Sequence, residues 1–171
     1  MNTSGTSGTS GVSGIADTVD CIEVVLQSEL QSLIQLNLDS LAGLRDSAER
    51  IDHPEIVSLF RSIATDRNAQ AAELQSIVRY AGKEAMTCGT AAGTLHNIWI
   101  DLRSAVNGND PHAILALVER GEDYVKAAYE KVLDRAYGFP LHTTISQHSA
   151  KINASHERIS VLRDSFAKYP T

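Results

Sequence analysis

Apolar residues recur along most of this chain at alternating steps of four and three, the spacing of a helix that buries one face. Val19, Ile22, Leu26, Leu30, Leu33, Leu44, Ala48 and Ile51 draw such a stripe from about Thr18 to about Asp52, with Asp17 or Thr18 as the cap. Ile34, Leu36, Leu38 and Leu41 widen it. A helix this broadly apolar is buried on more than one side. Either a wide core of its own chain or a second subunit can supply the extra contact. His53-Pro54-Glu55 opens a second helix, which Gly82 closes. Its stripe is Ile56, Phe60, Ile63, Arg67, Gln70, Leu74, Ile77 and Ala81.

Asp110 to Gly138 reads as a third long helix with both ends marked. The Asp110 carboxylate can accept from free N–H groups of the first turn, and Pro111 needs no donor there. Gly138 suits the position after the last turn, and Pro140 prevents continuation. Ile114, Val118, Val125, Ala128, Val132 and Ala136 form the stripe, with Glu122 and Tyr129 at its edge. Gly121 in mid-helix costs roughly 1 kcal/mol relative to alanine, which predicts close approach of a backbone or a large ring. Gly43 predicts close packing in the first helix. The fourth long helix runs from about Thr143 to Tyr169. Ile145, His148, Ile152, Ser155, Ile159, Leu162 and Phe166 face inward, with His156 on the flank. Arg158, Arg163 and Asp164 read as solvated charges, or alternatively as members of intersubunit pairs.

Residues 83–109 connect the second and third long helices, with a short helix at 94–106 carrying Leu95, Ile98, Trp99 and Leu102. Trp99 is expected to plug the open side of the core. The long helices are expected at about 18–52, 54–81, 110–137 and 143–169, within one domain at 17–169. Short links give two antiparallel hairpins, and the long crossover joins them. That is an all-α fold, the ferritin-like form of the four-helix bundle.

Composition narrows the partners. The formal charge is −6, from 15 Lys+Arg against 21 Asp+Glu. No basic stripe marks a nucleic-acid binder. No apolar run approaches the ~18 residues that span a membrane, and the N-terminus lacks a signal-peptide pattern. The expected location is the cytoplasm. Cys21 and Cys88 lack metal-type spacing and read as reduced thiols. Residues 1–16, rich in Gly, Ser and Thr, read as a disordered tail.

The polar residues out of place in these stripes are the informative ones. Asn37, Arg67, Gln70, Glu122, Tyr129 and His148 all fall on or beside inward positions. The helix midpoints lie near Asn37, Arg67, Glu122 and Ser155-His156. Either Arg67 snorkels outward, or it pairs with Glu122 in a polar core layer. The layer would then fix helix register or bind a small molecule.

A carboxylate-bridged dimetal bundle needs a Glu-x-x-His on each of two helices. Three residues before His53, His96, His112, His142, His148 and His156 stand Arg50, Gly93, Asn109, Phe139, Ile145 and Asn153. No Glu-x-x-His or Asp-x-x-His exists, so neither a dimetal centre nor any other cofactor is expected. Glu119, Glu122 and His156 remain the weaker candidates for a single metal ion. A fixed charge on Arg67 opposes that use.

Several short segments form a recognisable set: Leu33-Ile34 with Asp39 to Gly43, Arg67 with Glu73-Leu74, and Gly93 with His96 and Trp99. Glu119-Arg120-Gly121-Glu122-Asp123 with Tyr129-Glu130 is the most specific run. His156-Glu157-Arg158-Ile159 before Leu162-Arg163-Asp164 completes the set. In these segments the chain resembles an uncharacterised bacterial ferritin-like family known as a domain of unknown function. Ser40-Leu41 departs from it, since a small residue, often glycine, is expected after Asp39. The resemblance implies the fold and no reaction. The function expected is that of a non-catalytic bundle acting by self-association, with a dimer first, or by binding a protein partner. The alternative is a degenerate ferritin-like protein that handles metal or serves a stress response.

Overall fold

A computed structural model describes the backbone over residues 13–89 and 94–168, and side chains within it over 26–89 and 95–167. Every regular element among the described residues is a helix: α1 (Ser13–Ala48), α2 (Pro54–Tyr80), α3 (Thr94–Gly108), α4 (Pro111–Arg135) and α5 (Leu141–Lys168). No described helix is long and apolar enough to cross a membrane.

The ends differ from the periodic reading for local reasons. α1 begins at Ser13, so residues 13–16 extend the helix rather than the tail. Once a helix exists, each added residue gains a hydrogen bond. The rest of the expected tail, residues 1–12, lies outside the described residues, as do the side chains of Val19, Cys21 and Ile22. α1 ends at Ala48, and the next amides bond to Arg45 and Ser47 in a tight turn. Ile51 is still buried in that turn, so the apolar stripe outlasts the helix. α2 ends in a Schellman turn. Gly82 at φ 73° donates to the Arg79 carbonyl, and the Lys83 amide donates to that of Val78. Ala81, expected on the buried stripe, is exposed in this turn. Asp110 accepts from the amides of His112 and Ala113, capping α4 behind Pro111. α4 stops at Arg135, Gly138 turns the chain at φ 85°, and α5 starts at Leu141.

α1 packs on α2 and α4 packs on α5, with further contacts between α1 and α4 and between α2 and α5. Asn37 meets Tyr129, and Glu29 pairs with Arg135, so α1 and α4 run antiparallel. Ser62 meets Arg158, and Glu73 meets His148, so α2 and α5 do the same. α2 and α4 therefore run in the same direction. The connection must return along the bundle, and α3 lies against α4 and α1 as it does so.

This answers the question posed by the broad apolar surface of α1. Ile34 and Leu44 are fully buried and Leu41 nearly so, while Leu38 packs against the core. The extra face is covered by α3 and α4 within the chain. Trp99 on α3 is half-buried and touches both apolar clusters, and its indole lies against Gly43. A Cβ on Gly43 would run into that ring.

The core has two apolar halves. One holds Leu44, Phe60, Ile63, Leu115, Val118 and Ile159. The other holds Leu33, Leu74, Val125, Tyr129, Ile145 and Ile152. Each long helix passes from one half to the other at a polar residue: Asn37, Arg67, Glu122 and Ser155, all buried. Four such crossings at one level make a polar layer across the bundle.

Candidate functional site: a polar layer at mid-bundle

Arg67 is completely buried, so it does not snorkel. Its place on the stripe, between Ile63 and Leu74, aims a long charged side chain into the interior. Its Nη2 pairs with Glu122 Oε2, and its Nη1 donates to Gln70 Oε1 at 2.7 Å. Gln70 is held in turn because its Nε2 donates to the His148 backbone carbonyl at 3.3 Å. Removing a charge from water costs several kcal/mol per ion. Only a partner at contact distance, with further hydrogen bonds, offsets that cost.

A second chain of bonds runs beside the ion pair. Asn37 Nδ2 donates to the Leu33 carbonyl at 2.7 Å and to the Tyr129 hydroxyl at 2.6 Å. The Tyr129 hydroxyl lies 3.4 Å from His148 Nδ1, and His148 Nε2 lies 2.9 Å from Glu73 Oε2. Burial raises the Tyr129 phenol to about 12, against the smaller opposing effects of Asn37 and Arg67. Burial pushes the His148 imidazole below its ordinary value, although Glu73 pulls it the other way. Arg67 Nε and Asn37 Oδ1 are buried without a hydrogen-bond partner in the protein.

All six candidate residues of the layer therefore meet in one network: Asn37, Arg67, Gln70, Glu122, Tyr129 and His148. Glu73 joins it and was not among them. Its side chain is 51% exposed, and its position on α2 is off the apolar stripe. No pattern within one helix announces a link between residues so far apart in sequence. Its neighbour Leu74, fully buried, shows the level at which Glu73 can reach across to α5.

Glu119 and His156 lie elsewhere, on the seam between α4 and α5. Arg163 pairs with Glu119 and with Asp164, the latter at 2.8 Å. His156 Nε2 stands 2.8 Å from Asp123 Oδ1 and 3.9 Å from Glu119 Oε1. Arg158 donates to Ser62 on α2. Arg158 and Arg163, read from the sequence as solvated, tie helices together, while Asp164 pairs within its own helix. The third candidate for a metal ion, Glu122, is occupied by Arg67. Among the described residues no group of three or more His, Cys, Asp or Glu is placed to hold a metal ion. At mid-bundle the guanidinium would repel one. Asn37, Arg67, Gln70, Glu122, Tyr129 and His148 are all buried, and the network reaches solvent at Glu73. A shallow groove outside α3 and α4 is lined by Asn97, Ile98, Arg120, Asp123 and Tyr124, without Glu122.

Gly121 does not receive a ring or backbone. A Cβ there would sit 3.6 Å from Ile98 and 3.7 Å from Leu95, ordinary contact distances. Ser40, at the departure from the family pattern, is buried and its hydroxyl has no partner. Cys88 is an exposed free thiol.

No curated protein matches this chain. The family match covers residues 26–135, from α1 through α4, and ends before α5 brings His148 into the layer. On that match, the chain belongs to the family described as a domain of unknown function (DUF2383).

Proposed function

We propose that this protein is a non-catalytic bundle of ferritin-like arrangement that works by association, as a homo-oligomer or on a protein partner in the cytoplasm. The buried Arg67–Glu122 pair carries the non-catalytic part of the reading. It fills the level at which a dimetal bundle gathers carboxylates and imidazoles. A fixed cation there disfavours metal and leaves a layer that sets helix register. The antiparallel neighbours and the long return connection support the ferritin-like arrangement.

Self-association draws its support from one end of the bundle rather than from α1. Tyr80 ends α2 at 97% exposure, and Tyr137, at 80%, lies in the α4–α5 link with the exposed Phe139. α2 and α4 run in parallel, so these rings share an end. Large exposed aromatics gather at association surfaces. Light scattering after size exclusion tests this reading. A dimer or higher multiple of the 18.5 kDa chain is the expected result, and a strict monomer contradicts self-association.

The alternative is a degenerate metal-handling or stress-related protein. The approach of His156 to both Asp123 and Glu119 is the observation in its favour. Arg163 opposes it by holding Glu119. Metal analysis of protein purified without chelators separates the two readings. Stoichiometric iron, manganese or zinc would overturn the proposal and promote the alternative.

A further inference from the structure

His148 joins three helices, and the direction of each of its bonds can be worked out. Asn37 Nδ2 lies beside the Leu33 carbonyl, which can only accept, so the amide nitrogen is fixed there. The same nitrogen donates to the Tyr129 oxygen. Tyr129 then has its own proton to place, and His148 Nδ1 is the acceptor in reach. Neutral His148 must therefore carry its proton on Nε2 and donate it to Glu73. In this state the ring links α5 both to α4, through Tyr129, and to α2, through Glu73.

A second proton on the ring can go only to Nδ1. Nδ1 then becomes a donor facing the Tyr129 hydroxyl. That oxygen already accepts from Asn37, and its own hydrogen loses its acceptor in a fully buried place. On the opposite side the cationic ring gains attraction to the half-exposed Glu73 carboxylate. The charged groups around the ring are set by three helices. α2 supplies Glu73 in favour of the cation and Arg67 against it, and α5 supplies Lys151 against it. α4 presents the neutral Tyr129, and α1 reaches the ring through that phenol by way of the neutral Asn37.

We propose that His148 is a pH-sensitive latch, which holds α5 to both α4 and α2 when neutral and releases Tyr129 while keeping Glu73 when protonated. The Gln70 bond to the His148 backbone carbonyl is independent of the ring's charge and keeps α5 on α2 in both states. Acidification thus loosens the α4–α5 contact at this level and spares the α2–α5 contact. The direction of the linkage agrees. Burial holds the native ring below 6.5, so below that value the unfolded chain takes up a proton that the native ring refuses. The stabilisation is complete above about 6.5 and is lost as pH falls toward the native value, by at most about tenfold in the folding constant per pH unit for one proton.

Ring-nitrogen NMR on the full chain tests the latch, with amide exchange followed from pH 8 to pH 5. At pH 8 the expected His148 tautomer carries its proton on Nε2. As Nδ1 becomes protonated, protection against exchange around Tyr129 on α4 and around His148 on α5, after correction for the intrinsic slowing of amide exchange with falling pH, should drop by about fivefold or more, the consequence of a buried donor left unpaired. Glu73→Gln, at a half-exposed position that leaves the fold intact, should move the His148 titration to lower pH. His156→Gln should leave it in place, and His148→Gln should abolish the exchange step. A neutral ring protonated on Nδ1 would overturn the proposal. So would a His148 titration with no change in protection against exchange, or no movement in Glu73→Gln.

Discussion

Two carboxylate settings lie within five residues of α4 and behave in opposite ways. Glu122 points inward, is 1% exposed, and holds the fully buried Arg67. Glu119 and Asp123 point to the seam with α5, where Arg163 and His156 meet them near water. The chemistry of the groups is the same, and the dielectric around them differs. Solvent screens the Asp123 contact, at 63% exposure of the carboxylate, whereas nothing screens the Glu122 charge. The same short run of sequence therefore holds a group whose loss would disrupt the core and groups whose loss would be absorbed at the surface.

The largest effect should come from Glu122→Ala, which strands a buried guanidinium. Urea unfolding should show a loss of about 3–5 kcal/mol. A loss no greater than at Asp123 would erase the distinction between the two settings. The next largest concerns packing. Gly43→Ala should cost about 1–3 kcal/mol by pushing the Trp99 indole out of place, with a change in tryptophan fluorescence as its signature. Gly121→Ala should go the other way. Its new methyl group meets Ile98 and Leu95 at ordinary distances, so it should gain about 0.5–1 kcal/mol in helix propensity. A loss there would show that the glycine serves a purpose the packing does not reveal. The smallest effect belongs to Asp123→Ala, within about 1 kcal/mol and shrinking further in high salt. Its readout is the same unfolding midpoint, with and without salt.

Helix type was readable from spacing, because a period near 3.6 leaves the same face inward for many turns. Arg67 and Glu122 were readable for a related reason: Arg67 interrupts a stripe of apolar residues at the middle of its helix, and Glu122 lies at the edge of one at the middle of its own. Helix ends were harder. Ile51 is buried beyond the last turn of α1, so periodicity alone carries that helix too far. Along α2 the stripe drifts, so that Val78 is buried where Ile77 is only half so. Glu73 was hidden for a different reason. It is exposed on its own helix, and only the position of α5 reveals that His148 donates to it. The ties of Arg163 and Arg158 were hidden in the same way, since a charge on a helix flank looks solvated until the neighbouring helix is placed. Gly121 shows that a mid-helix glycine need not mark a close contact.

A double-mutant cycle at Arg67 and Glu122 tests the central claim most directly. Arg67→Met and Glu122→Leu should each destabilise the protein by about 3–5 kcal/mol, because each leaves one buried charge alone, and the double variant should recover most of that loss. Additive losses, with the double variant about as unstable as the two singles combined, would contradict the claim that this ion pair is a closed structural unit at the centre of the bundle.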